Sequence, residues 1–289
     1  MYHPLRRLTT LSTFSVALSL ALFSFGAHAE EPPARPGWKL VWQDEFDGRE
    51  LSPHKWNVLV REQSKHNELQ YYVPDEAYLE NGSLRLRSRV RDFGTQHYTS
   101  GRVDTSGKFS PVYGRFEIRG KLPNGQGMWP AYWLYPQNRD WPMEQLMARA
   151  VAEGRERQIP EARPWYTEMD IMEFLGHEPK TLYATFHFHT FDGQKKSSSS
   201  TFKSDVDYTK DFHVYAFEWE PDEMRWFVED KQILSTKVSV PHAPHYLILN
   251  TAVGGQWPGN PNDTTVFPQY HDIDYVRIYQ RPVYFERTE

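Results

Sequence analysis

The chain has 289 residues, 39% hydrophobic and 15% aromatic, with a formal charge of -5 and no cysteine. A mean hydropathy of -0.72 argues against a polytopic membrane protein, and the lack of cysteine excludes disulfides, thiol catalysis, cysteine–zinc sites and lipidation at a cysteine. The mild acidity disfavours nucleic acid and anionic polymers as partners and suits a neutral one.

Residues 1–29 carry the three-part pattern of an export signal. Arg6 and Arg7 precede the apolar run "FSVALSLALFSF" at 14–25, and "AHA" at 27–29 is a small-x-small cleavage site. The run is too short to span a bilayer comfortably. Cleavage after Ala29 is therefore expected, giving a secreted or periplasmic product with no membrane segment. That product carries 31 basic against 38 acidic side chains. With no disulfide available, its core alone must hold the fold.

Residues 30–37, "EEPPARPG", read as a short stiff linker, and residues 38–289 as a single domain. Strand signals recur from Trp38 onward. Apolar and polar residues alternate in "GSLRLRSRVR" (82–91), "GRFEIRGKL" (114–122), "TLYATFHFHT" (181–190), "HVYAFEWE" (213–220), "RWFVED" (225–230), "YLILNTAV" (246–253) and "DIDYVRIYQ" (272–280). The turn signals "NGS", "PNGQG", "EPD" and "GNPND" punctuate them, and "SSSS" at 197–200 reads as a loop. Many short strands with such punctuation predict an all-β sandwich or barrel. One segment differs. Met143, Leu146, Met147, Ala150 and Val151 fall at i, i+3, i+4, i+7 and i+8, which predicts an amphipathic helix within 142–158, inserted after a strand that ends near Tyr135.

"EMDIME" at 168–173 follows this insertion. In a regular strand Glu168 and Asp170 share a face and Glu173 points away. A β-bulge at Ile171–Met172 would reset the alternation and bring all three to one face. Two such carboxyl groups about 5–5.5 Å apart suit a retaining glycosidase, whereas roughly 6.5–9.5 Å suits an inverting one. Three crowded acids cannot all ionise cheaply, so at least one pKa must rise. The same acids could instead pave the solvated face of an edge strand.

Tryptophans surround the motif in sequence. Trp129 and Trp133 are four residues apart in "GMWPAYWLYP", which puts them on one strand face, and Trp257 stands in the Gly/Pro loop "GGQWPGN". Flat aromatic surfaces stack on the apolar faces of sugars as on other apolar groups. Trp129 and Trp257 are the expected ligand contacts, and Trp133 is left open between cleft and core. His187 and His189 share a strand face and could bind zinc with a carboxylate, although no third ligand shows a telling spacing; His187 could instead hydrogen-bond in the cleft. Asn67 and Glu68 in "KHNELQYY" read as a polar loop.

From about Trp38 to Gln280 the chain resembles glycoside hydrolase family 16, in particular its bacterial laminarinase-like β-1,3-glucanases. The pieces that carry the resemblance are, in order, "LVWQDEFDG", "NELQYY", "ENGSLRLRSR", "YTSGRVDTSGKFSPVYGRFEIRGKLPNGQGMWPAYWL", "EMDIMEFLG", "FHVYAFEWEPDEMRWFVED", "LILNTAVGGQWPGNP" and "IDYVRIYQ". The resemblance implies an all-β jelly roll of two curved antiparallel sheets with a concave cleft. It implies Glu168 as nucleophile, Asp170 as assisting acid and Glu173 as general acid/base. Asn67, Arg102, Trp129, His187 and Trp257 would line the glycan subsites. No cofactor for catalysis is implied. A structural calcium is, held by Glu45, the carbonyl of Gly82 and Asp274; such oxygen donors suit calcium.

The expected activity is endo-acting, retaining hydrolysis of a polysaccharide by a monomer, with β-1,3-glucan the leading substrate. Mixed-linkage glucan, agar- or carrageenan-type galactan, transglycosylation and non-catalytic glucan binding are the alternatives. Two departures bear on the choice. The stretch from Pro136 to Thr167 is longer than is usual in laminarinases, and Thr167 stands where they often have a small residue or glycine.

Overall fold

A strand that buries one face alternates apolar and polar residues, and strands of that kind must pair and stack to hide the apolar side. The computed structural model describes residues 32–62, 65–137, 162–190 and 194–284. The expected export signal and the expected helix within 142–158 lie outside the described residues.

Strands are numbered along the chain. Among the described residues one sheet has seven, in the spatial order β13 (Lys195–Lys203), β12 (Thr181–Thr190), β11 (Ala162–Phe174), β10 (Met128–Pro136), β17 (His245–Val253), β8 (Arg102–Asp104) and β2 (Asn57–Val58). The other has eleven. Its main order is β16 (Lys231–Thr236), β15 (Met224–Val228), β14 (His213–Trp219), β9 (Gly114–Lys121), β18 (Gln269–Gln280), β6 (Ser83–Phe93), β7 (Gln96–Ser100), β4 (Gln70–Tyr72) and β3 (Arg61–Glu62). Beside that path, β1 (Lys39–Asp44) pairs with β18 and β5 (Ala77–Glu80) with β6. β4 and β7 run parallel. This is the two-sheet all-β architecture that the alternating segments predict.

The core lies between the sheets. The larger sheet contributes Leu84, Leu86, Phe116, Ile118, Phe217, Val276 and Ile278; the smaller contributes Tyr132, Leu134, Met169, Phe186, Leu247 and Leu249, all at most 1% exposed. On the other side of β6 the arginines of "LRLRSR" point outward and pair with acids: Arg85 with Asp272, and Arg87 and Arg89 with the buried Glu76. The "ENGS" turn between β5 and β6 is a two-residue hairpin loop. Glu80 pairs with Ser83, and Asn81 (φ 53°) and Gly82 (φ 74°) both take the left-handed conformation such a loop requires.

One segment departs from expectation. "SSSS", read as a loop, lies inside β13, which pairs residue for residue with β12 from Thr181↔Lys203 to His189↔Lys195. Serine has little intrinsic preference for strands, but that preference is weak beside a continuous backbone ladder. The exposure of β13 alternates: Ser198, Ser200 and Phe202 are half-buried, while Ser197, Ser199 and Thr201 are exposed.

Candidate active site

The seven-stranded sheet turns its other face to a cleft. Along β10 the even positions Met128, Tyr132 and Leu134 go to the core, which leaves Trp129, Ala131 and Trp133 for the cleft. On β12 the core takes Leu182, Ala184, Phe186 and Phe188, and the cleft takes Thr185 and His187.

β11 cannot keep a single parity, because it carries the expected bulge. Against β10, Met172 pairs with Tyr132 but Asp170 with Trp133, so Ile171 is extra. Against β12, Asp170 pairs with Thr185 and Glu173 with Tyr183, three steps against two. Ile171 and Met172 are both buried in the core at 2% and 1% exposure. Glu168, Asp170 and Glu173 consequently all face the cleft.

Their environments differ. Burial pushes the pKa of Glu173 up to about 7, a hydrogen bond from Trp129 Nε1 to its Oε1 (3.1 Å) pulls it down, and the nearby charge of Glu168 adds to the rise. Glu173 is thus the carboxyl that holds a proton near neutral pH. Asp170 is buried at 4% exposure, with Oδ2 3.5 Å from His187 Nε2. Its backbone carbonyl accepts a hydrogen bond from Trp226 Nε1 on β15 (2.9 Å), which ties β11 to the opposite sheet. A carboxyl that keeps its proton near neutral pH is what acid-assisted displacement at a sugar carbon needs.

The cleft has a cavity volume of about 410 Å³. Trp257, 41% exposed, meets Trp129 edge-on, centroids 5.4 Å apart at 88°, and also packs on Tyr183 at 4.8 Å. Glycines make its loop possible: Gly254 and Gly255 have φ of +70° and +121°, and a Cβ at Gly254 would stand 2.6 Å from the Leu69 side chain. The backbone N–H of Gln256 donates to the carbonyl of His66 (2.9 Å), locking this loop to the one before β4. Trp133 also lines the cleft; its Nε1 donates to Asn250 Oδ1 (2.7 Å), and the Arg102 guanidinium lies 5.1 Å from its ring.

Arg102, Trp129, His187 and Trp257 therefore stand together around the acids. Asn67 falls outside that lining. It is exposed at φ 61°, and its neighbours His66 and Glu68 line the cleft instead. Sequence reasoning also missed Tyr72 and Asn250. Glu68, 8% exposed, accepts a hydrogen bond from Gln70 Nε2 (2.7 Å), and Asn250 Nδ2 donates to the Tyr72 hydroxyl (3.1 Å). Asn250 was within reach of parity, since it pairs directly with Ala131 on β10. Glu68 and His66 carried no such signal, because their direction is set by a loop.

Ligand atoms of Glu168, Asp170 and His187 lie within 4.8 Å of one another; His189 is not in this group. Such spacing arises among exposed acidic groups without an ion, and the His187–Asp170 contact is an ion-pair distance of 3.5 Å. The donors named for calcium lie elsewhere. Glu45 is held by both Nε and Nη2 of Arg277 (2.9 and 2.8 Å), and Asp274 by Arg119 Nη1 (2.7 Å). Asp274 is itself the extra residue where the register between β18 and β9 shifts. Oxygen donors fit calcium, but both carboxylates already have guanidinium partners that an ion would have to displace.

Comparison with known proteins gives a consistent picture. The model of the Glycosyl hydrolases family 16 matches residues 63–144 and 158–277. The chain is 36% identical over 268 residues to a "Beta-glucanase" of Rhodothermus marinus, covering 85% of this chain and 86% of that one. It is similar to the laminarinase catalytic domain of Thermotoga maritima MSB8, with a TM-score of 0.68, 34% identity, and coverage of 84% of this chain and 98% of that one. It also superposes, with a TM-score of 0.73 and 29% identity over 88% of this chain and 96% of that one, on a structure from a study of endo-acting O-glycanases that human gut microbiota express to initiate mucin breakdown.

Proposed function

Because the chain belongs to the glycosyl hydrolases of family 16, we propose that it cleaves β-1,3-glucan within the chain and with retention at the anomeric carbon. It is a glycoside hydrolase with a polysaccharide substrate. The observation that carries the mechanism is the bulged strand, which sets Glu173, with its pKa near 7, on the same cleft face as Glu168. Glu168 attacks the anomeric carbon as Glu173 protonates the departing glycosidic oxygen. The product is a glycosyl ester on Glu168. Glu173, now a carboxylate, takes a proton from water, and that water breaks the ester with a second inversion. Asp170, between them in sequence, holds the proton distribution. Arg102, Trp129, His187 and Trp257 bind the sugar rings.

Reducing-sugar release from laminarin, mixed-linkage glucan, agarose and carrageenan tests the substrate; release from agarose alone would sink the glucan reading. Proton NMR of the first product tests retention, and an initially inverted anomer would overturn it. A mucin-type glycan is a second reading, favoured by the backbone likeness with a TM-score of 0.73, and mucin belongs in the same panel. Export with cleavage after Ala29 belongs to the proposal too; N-terminal sequencing of the mature protein, expected to begin at Glu30, checks it. So does a structural calcium at Glu45, Gly82 and Asp274, supported by the oxygen chemistry of those donors.

A further inference from the structure

Among the described residues β13 is one of the two edge strands of the cleft sheet, next to the strand that carries His187. Residues directly opposite in an antiparallel pair point to the same face. Ser197 pairs with His187, Ser199 with Thr185, and Thr201 with Tyr183. His187 and Thr185 line the cleft, and Tyr183 packs against the cleft residue Trp257. The three β13 hydroxyls therefore face the cleft side, one strand spacing of about 4.8 Å beyond β12, and all three residues are exposed. The intervening Ser198 and Phe202 turn the other way, Ser198 toward Thr236 and Phe202 toward Lys231.

We infer that Ser197, Ser199 and Thr201 form an additional glycan subsite, a hydroxyl shelf that continues the cleft past His187 and binds a neutral sugar of the bound chain. This deepens the proposed function and rests on its reading of the cleft as a glycan site. A hydroxyl both donates and accepts, which matches the mixed donor and acceptor rim of a neutral sugar. The side chains are short, so the shelf stays open instead of walling off the end of the cleft. The shelf lies on the far side of the catalytic row from Arg102, because β11, β10 and β17 separate β12 from β8. A chain gripped at both ends is held across the bond to be broken, as cleavage within a polymer requires.

The test is a triple variant, Ser197→Val, Ser199→Val and Thr201→Val, assayed on a series of β-1,3-gluco-oligosaccharides of increasing length. Valine favours strands, and circular dichroism and Tm check that the variant folds. The expected result is an unchanged kcat/KM on the shortest cleaved oligomer and a loss of about ten-fold on the longest, the effect of two hydrogen bonds of ordinary net strength. Equal loss at every length, or no loss at any, overturns the shelf. If the parent enzyme cleaves no β-1,3-glucan, the substrate reading falls, and the same length series is then run on fragments of the polymer it does cleave. There, too, the shelf stands only if the loss grows with length.

Discussion

Trp129→Phe isolates the hydrogen bond that tunes Glu173. In the parent, Trp129 Nε1 donates to Glu173 Oε1 at 3.1 Å and favours the ionised carboxylate, opposing burial and the charge of Glu168. Phenylalanine keeps an aromatic face in the cleft but removes the donor. The pKa must then rise from its value of about 7. A hydrogen bond to a charged group contributes about 1.5–3 kcal/mol, and about 1.4 kcal/mol corresponds to one pKa unit. Glu173 keeps some solvent contact, so the low end applies and the expected rise is about one unit. The assay is the pH dependence of kcat/KM. A general acid must be protonated in the free enzyme, so its ionisation sets the alkaline limb. That limb should fall near pH 7 in the parent and near pH 8 in the variant. Lost stacking would lower kcat/KM at every pH without moving the limb. A limb that stays put or moves to lower pH would refute Glu173 as the acid and Trp129 as its tuner.

Glu173→Gln should abolish hydrolysis yet raise Tm above pH 7. The folded pKa of about 7 lies above the unfolded value of 4.5, so the stability this group contributes is complete below about 4.5 and lost as pH rises through 7. The gain at pH 8 is at most about 3.5 kcal/mol at about 1.4 kcal/mol per pKa unit, and it should vanish at pH 4; an equal Tm difference at both pH values would contradict it. Buried histidines act in the opposite sense. Burial pushes His245 down to about 4 and His271 down to about 3, from 6.5, so the stability they contribute is present above 6.5 and lost as pH falls through 4 and then 3. Tm should therefore drop across that range, and the drop should be shallower in His271→Gln, whose side chain can still bond to the Tyr132 hydroxyl that His271 now contacts at 2.6 Å. Millimolar calcium should raise Tm in the parent but not in Asp274→Asn if the oxygen donors bind the ion; no rise in the parent would show that Arg277 and Arg119 keep the carboxylates.

What could be read from the sequence follows from which forces are local. The alternation of β12 was legible because the strand has a core face that must be apolar, and Trp129 and Trp133 on β10 could be put on one face by counting. The bulge was supposed from the parity of the three acids, as the arrangement that brings Glu173 to the face of Glu168 and Asp170; its physical cause shows only in the structure, where Ile171 and Met172 are both buried. The serine run was misread because its strand character comes from the ladder with β12 and not from its own side chains. Asn67 was misplaced because a loop with His66 and Asn67 both at φ 61° has no parity to count.

The same distinction explains why the acidic row of β11 is better specified than the rest of the cleft. The acids sit on a strand whose register is enforced twice, by β10 on one side and β12 on the other, and a slip on either would put Ile171 or Met172 into water. Core burial therefore fixes the direction of Glu168, Asp170 and Glu173 without any glycan being present. His66, Glu68 and Trp257 are placed by contacts between loops: the Gln256–His66 backbone bond and the space beside Leu69 that Gly254 leaves free. A change in either loop can move these groups without disturbing the core. On the proposed mechanism, bond cleavage is thus tied to the packing that folds the chain, while the loop-borne part of the cleft can vary independently of it.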